Sequence, residues 1–431
     1  MQSNREAKAD SASVGAQVDI MSLNGLKYRI PQPISTGVSR SYKKEYSQKN
    51  DYQKNQVMVF DLNTGTNYVN PDTALLSFKF QLVQPAAGAP GGGDTVKWGG
   101  SLGAASLFTE IRIISKNGIE LDRISDAAQL SKIFVDYSVS NDMAGELEMS
   151  QGYGAAESEN LILTGNTSFT NALECVIPMK YLSGFFRPTI KGMLLPAGLA
   201  SGLRIEISLT PDLVQSIVAP QVPTSYTVTD PVLILETTEM NDPVQGALMK
   251  ESASNGLEYT FPSYYSTKLN VAASGTIATQ VNKAVSQATR MFLTLQAPLV
   301  ADASEVLLDS FKSLPITDYK SYQFRVGQNY FPNLLVDRTT EKMSYALSAV
   351  NGWSDGTGIN VSFDDYIRDG KGLVATSLET ADRLNLAGLM LNNSSTGEIR
   401  LTVDTNPVRG VLFLEFIAVV KTSLNKSSLR I

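Results

Sequence analysis

The chain has 431 residues, a mass of 46.6 kDa and a formal charge of −6 from 36 basic and 42 acidic side chains, enough chain to bury a large core. It holds no histidine and one cysteine, Cys175, which excludes Ser-His-Asp and Cys-His nucleophile systems, imidazole bases, His-ligated metal sites, an internal disulfide and iron–sulfur clusters. Charged residues make up 18% of the chain against roughly 25% in an average soluble domain, so the surface is uncharged polar or covered by neighbours, and a structural or binding role is favoured over catalysis. Residues 1–25 are polar, carry a net −1 and lack the apolar core of a signal peptide. Residues 26–54 carry Lys27, Arg29, Arg40, Lys43, Lys44, Lys49 and Lys54 against Glu45 and Asp51, a net +5, which leaves −10 on the body from Gln56 onward. Residues 1–54 therefore read as a flexible basic arm ahead of an acidic body, with Tyr28, Tyr42, Tyr46 and Tyr52 adding stacking faces. Five net charges suffice for weak, salt-sensitive contact with phosphate.

Beyond the arm the apolar period is two, as in strands. Phe78, Phe80 and Leu82 alternate with Lys79 and Gln81, and Leu203, Ile205, Ile207 and Leu209 with Arg204, Glu206 and Ser208. Tyr322, Phe324 and Val326, then Ile399, Leu401 and Val403, repeat the pattern. One face in a core and one face wetter predicts antiparallel sheets in a sandwich. Turn residues separate the runs at Asn117-Gly118 and Gly327-Gln328-Asn329. The most apolar stretch, Val411 to Val420, is interrupted by Glu415 and too short to cross a bilayer.

Helical spacing occurs twice. Leu130, Ile133, Phe134 and Tyr137 form one stripe behind a capping candidate at Ser125 or Asp126; Met343, Ala346, Leu347 and Val350 form the other behind Thr339 or Thr340. Each stripe follows an Asp-Arg pair (Asp122-Arg123, Asp337-Arg338) and precedes an alternating strand. A near-identical pentapeptide closes each set, Val232-Leu233-Ile234-Leu235-Glu236 and Val411-Leu412-Phe413-Leu414-Glu415. Recurrence of these landmarks in one order implies duplication of an all-β unit. The offset is 215 at the Asp-Arg pairs and 179 at the pentapeptides, so the first copy is 36 residues longer. That excess is assigned to a polar loop within Ser138–Thr170, an inexpensive insertion because closure entropy grows slowly with length. Breaker residues place a linker at 242–255, giving a first sandwich over 55–241, a second over 256–422 and a tail over 423–431.

Candidate chemistry is sparse. Gly88 with Gly91–Gly93 reads as a flexible loop, since no phosphate-loop pattern exists: Asp369-Gly370-Lys371-Gly372 lacks both its first glycine and its hydroxyl residue. The acidic pairs Asp364-Asp365, Glu146/Glu148 and Glu157/Glu159 read as solvated surface; neighbouring aspartates on a strand would face opposite ways and could not share a catalytic cleft. Tyr259, Phe261, Tyr264 and Tyr265 are expected at a seam between the sandwiches, and Cys175 as a buried inert thiol. No catalytic, cofactor or metal residues are assigned.

The segment Ile177-Pro-Met-Lys-Tyr-Leu-Ser-Gly-Phe-Phe186, followed by Met193-Leu-Leu-Pro196 and Gly202-Leu-Arg-Ile-Glu-Ile-Ser-Leu209, resembles the double jelly-roll major capsid proteins of tailless icosahedral DNA viruses, closest to the virophage and polinton-like versions. The likeness of pattern spans about 55–422, that of sequence about 175–240. It implies an all-β fold of two tandem eight-stranded jelly rolls with short helices in loops, and a non-enzymatic shell protein without cofactors. It further implies homotrimeric, pseudo-hexagonal capsomers that tile a virion around DNA, made inside the host cell and not secreted. Partners would be neighbouring capsomers and penton or minor capsid proteins. Lys27, Arg29, Arg40, Lys43, Lys44, Lys49 and Lys54 would then meet genome, an internal membrane or a neighbouring capsomer. The alternative from another class is a carbohydrate-binding or carbohydrate-processing β-sandwich protein.

Overall fold

The computed structural model describes residues 37–83, 95–98, 102–140, 150, 161–164, 172–211, 213, 217–218, 225–271, 275–296, 311, 313–351, 361–367, 371–379, 388–391, 397–404, 408–423 and 426–430. The first half contributes β1 (Gly37–Tyr46), β2 (Asp51–Gln53), β3 (Val57–Asp61), β4 (Tyr68–Val83), β5 (Thr95–Trp98) and β6 (Phe108–Ile114). It continues with β7 (Glu120–Ser125), β8 (Leu161–Thr164), β9 (Leu173–Pro178), β10 (Arg204–Leu209), β11 (Ile217–Val218) and β12 (Ser225–Met240). The second half contributes β13 (Leu257–Val271), β14 (Gly275–Val281), β15 (Val285–Gln296), β16 (Tyr319–Val326) and β17 (Asn329–Val336). After these come β18 (Val374–Ser377), β19 (Leu389–Leu391), β20 (Gly397–Val403), β21 (Val408–Ser423) and β22 (Lys426–Arg430).

The sheet orders in the two halves match strand for strand. β1-β12-β4-β9 and β3-β10-β6-β7 form the first pair of sheets; β13-β21-β15-β18 and β14-β20-β16-β17 form the second. In both, the first strand lies beside the last and each sheet draws on both ends of its half. That is the jelly-roll order. The duplicated landmarks fall on equivalent elements: the two stripes on helices Ala127–Ser138 and Thr339–Asn351, the pentapeptides on β12 and β21.

The predicted alternation is the inward face. Ile205 sits between Phe60 of β3 and Ile113 of β6, all fully buried. In the second roll Phe324 is paired with Ile399, and Tyr322 with Leu401. Each such side chain contributes about 1.5–3 kcal/mol by leaving water. At Asn117-Gly118 the tight turn between β6 and β7 holds Gly118 at φ +77°, which an L side chain rarely adopts.

Several expectations need correction. The basic arm does not run to residue 54: β1 pairs with β12 from Gly37↔Met240 to Tyr46↔Val232, and β2 pairs with the same strand, burying Tyr52. An edge strand whose outer face is bare can carry charge at every other position, and that disguised it. The linker residues 242–255 form a helix, Asp242–Ser254; Asn241 accepts a hydrogen bond from the Val244 N–H, and Pro243 lies in the first turn, so the apparent breakers are start signals. In the tail, β22 folds back on β21. Part of the presumed inserted loop, β8, joins β5 and β11 in a small third sheet. Asp364 and Asp365 lie on the short helix Phe363–Ile367, not on a strand; Ser362 and Asp365 exchange backbone-to-side-chain hydrogen bonds at its start.

Candidate functional site: the inter-roll seam and the basic segment

Helix Ala127–Ser138 is buried on all sides, including Gln129, Lys132 and Asp136. It lies between the two rolls, and residues from more than one of its sides reach the second. Gln129 donates to Thr294 (2.9 Å) and accepts from Gln296 (2.6 Å), both on β15. Lys132 and Asp136 pair with each other along the helix. Phe134 packs edge-on against Tyr264 of β13, with centroids 5.4 Å apart, and against Phe292 of β15. Asp126, the cap candidate, makes no cap; it accepts from Ser266 (2.9 Å) and pairs with Lys268 (2.9 Å), tying the helix start to β13.

The segment singled out by sequence, Ile177–Phe186, supplies the rest of the seam. Phe185 lies 5.2 Å from the Tyr259 ring and 5.0 Å from Phe261, and its carbonyl accepts from the Tyr259 hydroxyl. Gly184 permits the close approach: a Cβ there would sit 1.8 Å from the Pro262 carbonyl oxygen. The Arg187 guanidinium lies 3.8 Å over the Phe134 ring and donates to the Tyr264 hydroxyl, which donates to Glu415 (2.8 Å). The expected aromatic seam is therefore present, with Tyr259, Phe261 and Tyr264 buried.

Two serines join across it on one carboxylate. Asp122 of β7 accepts from Ser183 (2.8 Å) and from Ser263 of the second roll (2.6 Å). Burial pushes its carboxyl up to about 6, against the lowering pull of the two serine hydroxyls. Cys175 is buried in the first roll, and burial alone pushes its thiol up to about 12, so it is inert as a nucleophile.

Of the seven basic residues, Lys27 and Arg29 lie outside the described residues, as do Tyr28, Gly88, Gly91–Gly93 and all four Glu candidates. Arg40 on β1 pairs with Glu236, and Lys43 with Glu45 (2.9 Å) and the Asn63 carbonyl. Lys44, Lys49 and Lys54 are exposed, and among the described residues no acidic partner is seen for Lys44 or Lys49. Tyr42 and Tyr46 stand out from the same strand at 66% and 69% exposure. Of the five basic residues among those described, Arg40, Lys43 and Lys44 lie on β1, Lys49 in the turn that follows it and Lys54 just past β2. Among the described residues no group of three or more carboxylate or thiol ligands is close enough for a metal, and no helix is long and apolar enough to cross a membrane.

The chain is a double jelly roll, the fold of virion capsid proteins. No protein-family model and no curated protein sequence matches it. Solved structures do. PBCV-1 VP54, in the form fitted into a cryo-EM reconstruction of the virophage Sputnik, aligns with a TM-score of 0.62 at 9% identity, covering 93% of this chain and 98% of that one. A chain of the Sputnik virophage gives 0.62 at 10% identity over 94% and 91%, and the Faustovirus major capsid protein 0.64 at 8% over 92% and 93%. At such identities the likeness is one of fold.

Proposed function

We propose that this chain is the major capsid protein of a tailless icosahedral DNA virus and has no catalytic step. The observation that carries the proposal is the pair of complete jelly rolls fused along a buried seam, matched over nearly the whole length of the viral capsid chains. Three copies would form a pseudo-hexagonal capsomer of six rolls, and capsomers would tile the shell with penton and minor proteins at its special positions. Lys27 and Arg29, with Lys44, Lys49 and Lys54, would meet phosphate on genome or lipid, or an acidic neighbour. Size-exclusion chromatography with light scattering should give about 140 kDa, three times the 46.6 kDa chain. A monomer at every concentration would overturn the proposal, as would failure to yield particles by electron microscopy when the capsid genes are co-expressed.

A further inference from the structure

The seam between the rolls is not filled along its whole length. At one end it widens into a cleft of about 560 Å³, the size of a small-molecule pocket, with walls from both rolls. The first roll contributes the starts of β6 and of helix Ala127–Ser138; the second contributes the ends of β13 and β15 and the start of β21. Thr109 and Ser125 stand exposed at its rim.

The chemistry of the lining calls for a neutral ligand rich in hydroxyls. Gln296, 3% exposed, donates its amide N–H groups to Gln129 and to the Phe311 carbonyl, and among the described residues nothing donates to its Oε1. A buried acceptor takes its donor from whatever fills the space. Opposite Gln296 in the ladder stands Arg409, whose guanidinium can only donate. A hydroxyl answers both, since it donates and accepts. Charge in the lining balances, Lys268 and Arg409 against Asp126 and Glu110, with Lys268 and Asp126 paired at 2.9 Å. That balance favours neither a phosphate nor a cation. Leu269, Phe311 and Val411 add an apolar wall suited to the C–H face of a ring.

Its place in the fold sets the direction in which it faces. Gly37 lies opposite Met240, and from Met240 the chain runs through helix Asp242–Ser254 into β13 at Leu257. Lys268 is near the other end of β13, about 35 Å away at strand spacing. In the capsid reading the segment ahead of Gly37 meets genome or lipid, so the cleft opens on the outer side.

We infer that this cleft binds a neutral mono- or disaccharide displayed on the surface of the cell to be entered. The outward placement rests on the capsid reading; the binding chemistry does not. Saturation-transfer NMR on the full chain with glucose, galactose, mannose and N-acetylglucosamine tests the inference. One of the four should bind saturably, unmoved by high salt or by excess inorganic phosphate. Thr109→Trp fills the cleft from an exposed position and should weaken that binding by roughly tenfold or more with circular dichroism unchanged. Gln296→Met, which removes the open acceptor at similar volume, should do the same. Binding of none of the four sugars, displacement by phosphate, or an unchanged affinity in Thr109→Trp overturns the inference. Assembled particles should be held on beads carrying the bound sugar and released by free sugar; particles that pass through while subunits are held overturn the outward placement and the inference with it. Light scattering on the same sample keeps the two readings apart. A trimer that binds no sugar overturns the inference alone, and a monomer that binds one overturns the capsid reading alone.

Discussion

β1 and β13 occupy the same edge of the same sheet in two copies of one fold, yet β13 reads Thr-Phe-Pro-Ser-Tyr-Tyr over 260–265 and β1 reads Ser-Arg-Ser-Tyr-Lys-Lys over 39–44. Both pair along their length with the closing strand of their roll. The difference is what lies beyond the edge. β13 meets Phe185, Gly184 and Asp122 of the first roll, while among the described residues β1 meets nothing that buries Tyr42 or Tyr46. A strand's composition therefore reports its outer neighbours as much as its place in a fold.

Removing β1 should break the comparison most severely. Deleting residues 1–50 strips an edge strand bonded to β12, on the order of 5–10 kcal/mol at about 1 kcal/mol per hydrogen bond, comparable to a whole domain's stability of about 5–15 kcal/mol. The product should be insoluble or lack a cooperative transition for the first roll. Deleting 1–36 removes none of the described strands and should leave thermal unfolding unchanged. Equal behaviour of the two truncations would show β1 to be dispensable.

Ile234 and Phe413 are duplicates in the pentapeptides, the first half-exposed on the bare face, the second fully buried. Phe413→Asp should abolish soluble protein, because an unpaired buried carboxylate costs several kcal/mol; Ile205→Asp, inside the first roll, should do the same. Ile234→Asp should still yield folded subunit. Soluble yield is the measurement, and matched losses at 234 and 413 would mean that both faces are covered within one chain.

A pH series sharpens the seam. Asp122 holds its proton up to about pH 6 in the folded chain, against 3.8 ordinarily, so the folded state binds the proton more tightly than the unfolded one. Its contribution is greatest at low pH and falls as pH rises from about 4 to about 6, by about 3 kcal/mol at 1.36 kcal/mol per unit. Asp122→Asn should remove that decline: the variant gains stability relative to wild type on going from pH 4 to pH 7, as read by denaturant unfolding. The smallest effect is expected at the tyrosines. Tyr264→Phe removes the hydroxyl that links Arg187 to Glu415 in the seam, leaving Glu415 with Thr289 and Arg290, and should cost about 1–3 kcal/mol, whereas Tyr42→Phe should change subunit stability by less than about 0.5 kcal/mol.

Much of the fold was legible because the inward faces announce themselves. The runs Leu203–Leu209 and Ile399–Val403 alternate cleanly, and both helices show their stripe. β1 was not legible, since its alternation is of charge and tyrosine rather than of core residues, and a net +5 segment resembles an arm. The seam's aromatics could be placed from sequence, but its polar clasp could not. Asp122 was visible only as half of a repeated Asp-Arg pair; its partners Ser183 and Ser263 lie 61 and 141 residues away. Asp126 was misread for a local reason, because a carboxylate before a helix signals a cap, and here it serves Ser266 and Lys268 instead.

The pairing of β1 with β12 also sets a timetable. Gly37 emerges from the ribosome about 200 residues before its partner Met240, a wait of roughly 10–40 s at 5–20 residues per second. Through that interval a nearly complete strand must stay unpaired in a crowded cell without recruiting the wrong edge. Lys43, Lys44 and Glu45 in its middle act as gatekeepers, since charge on an unpaired strand opposes intermolecular pairing. The polarity that hides β1 from a reader of the sequence thus protects the nascent chain until its partner arrives.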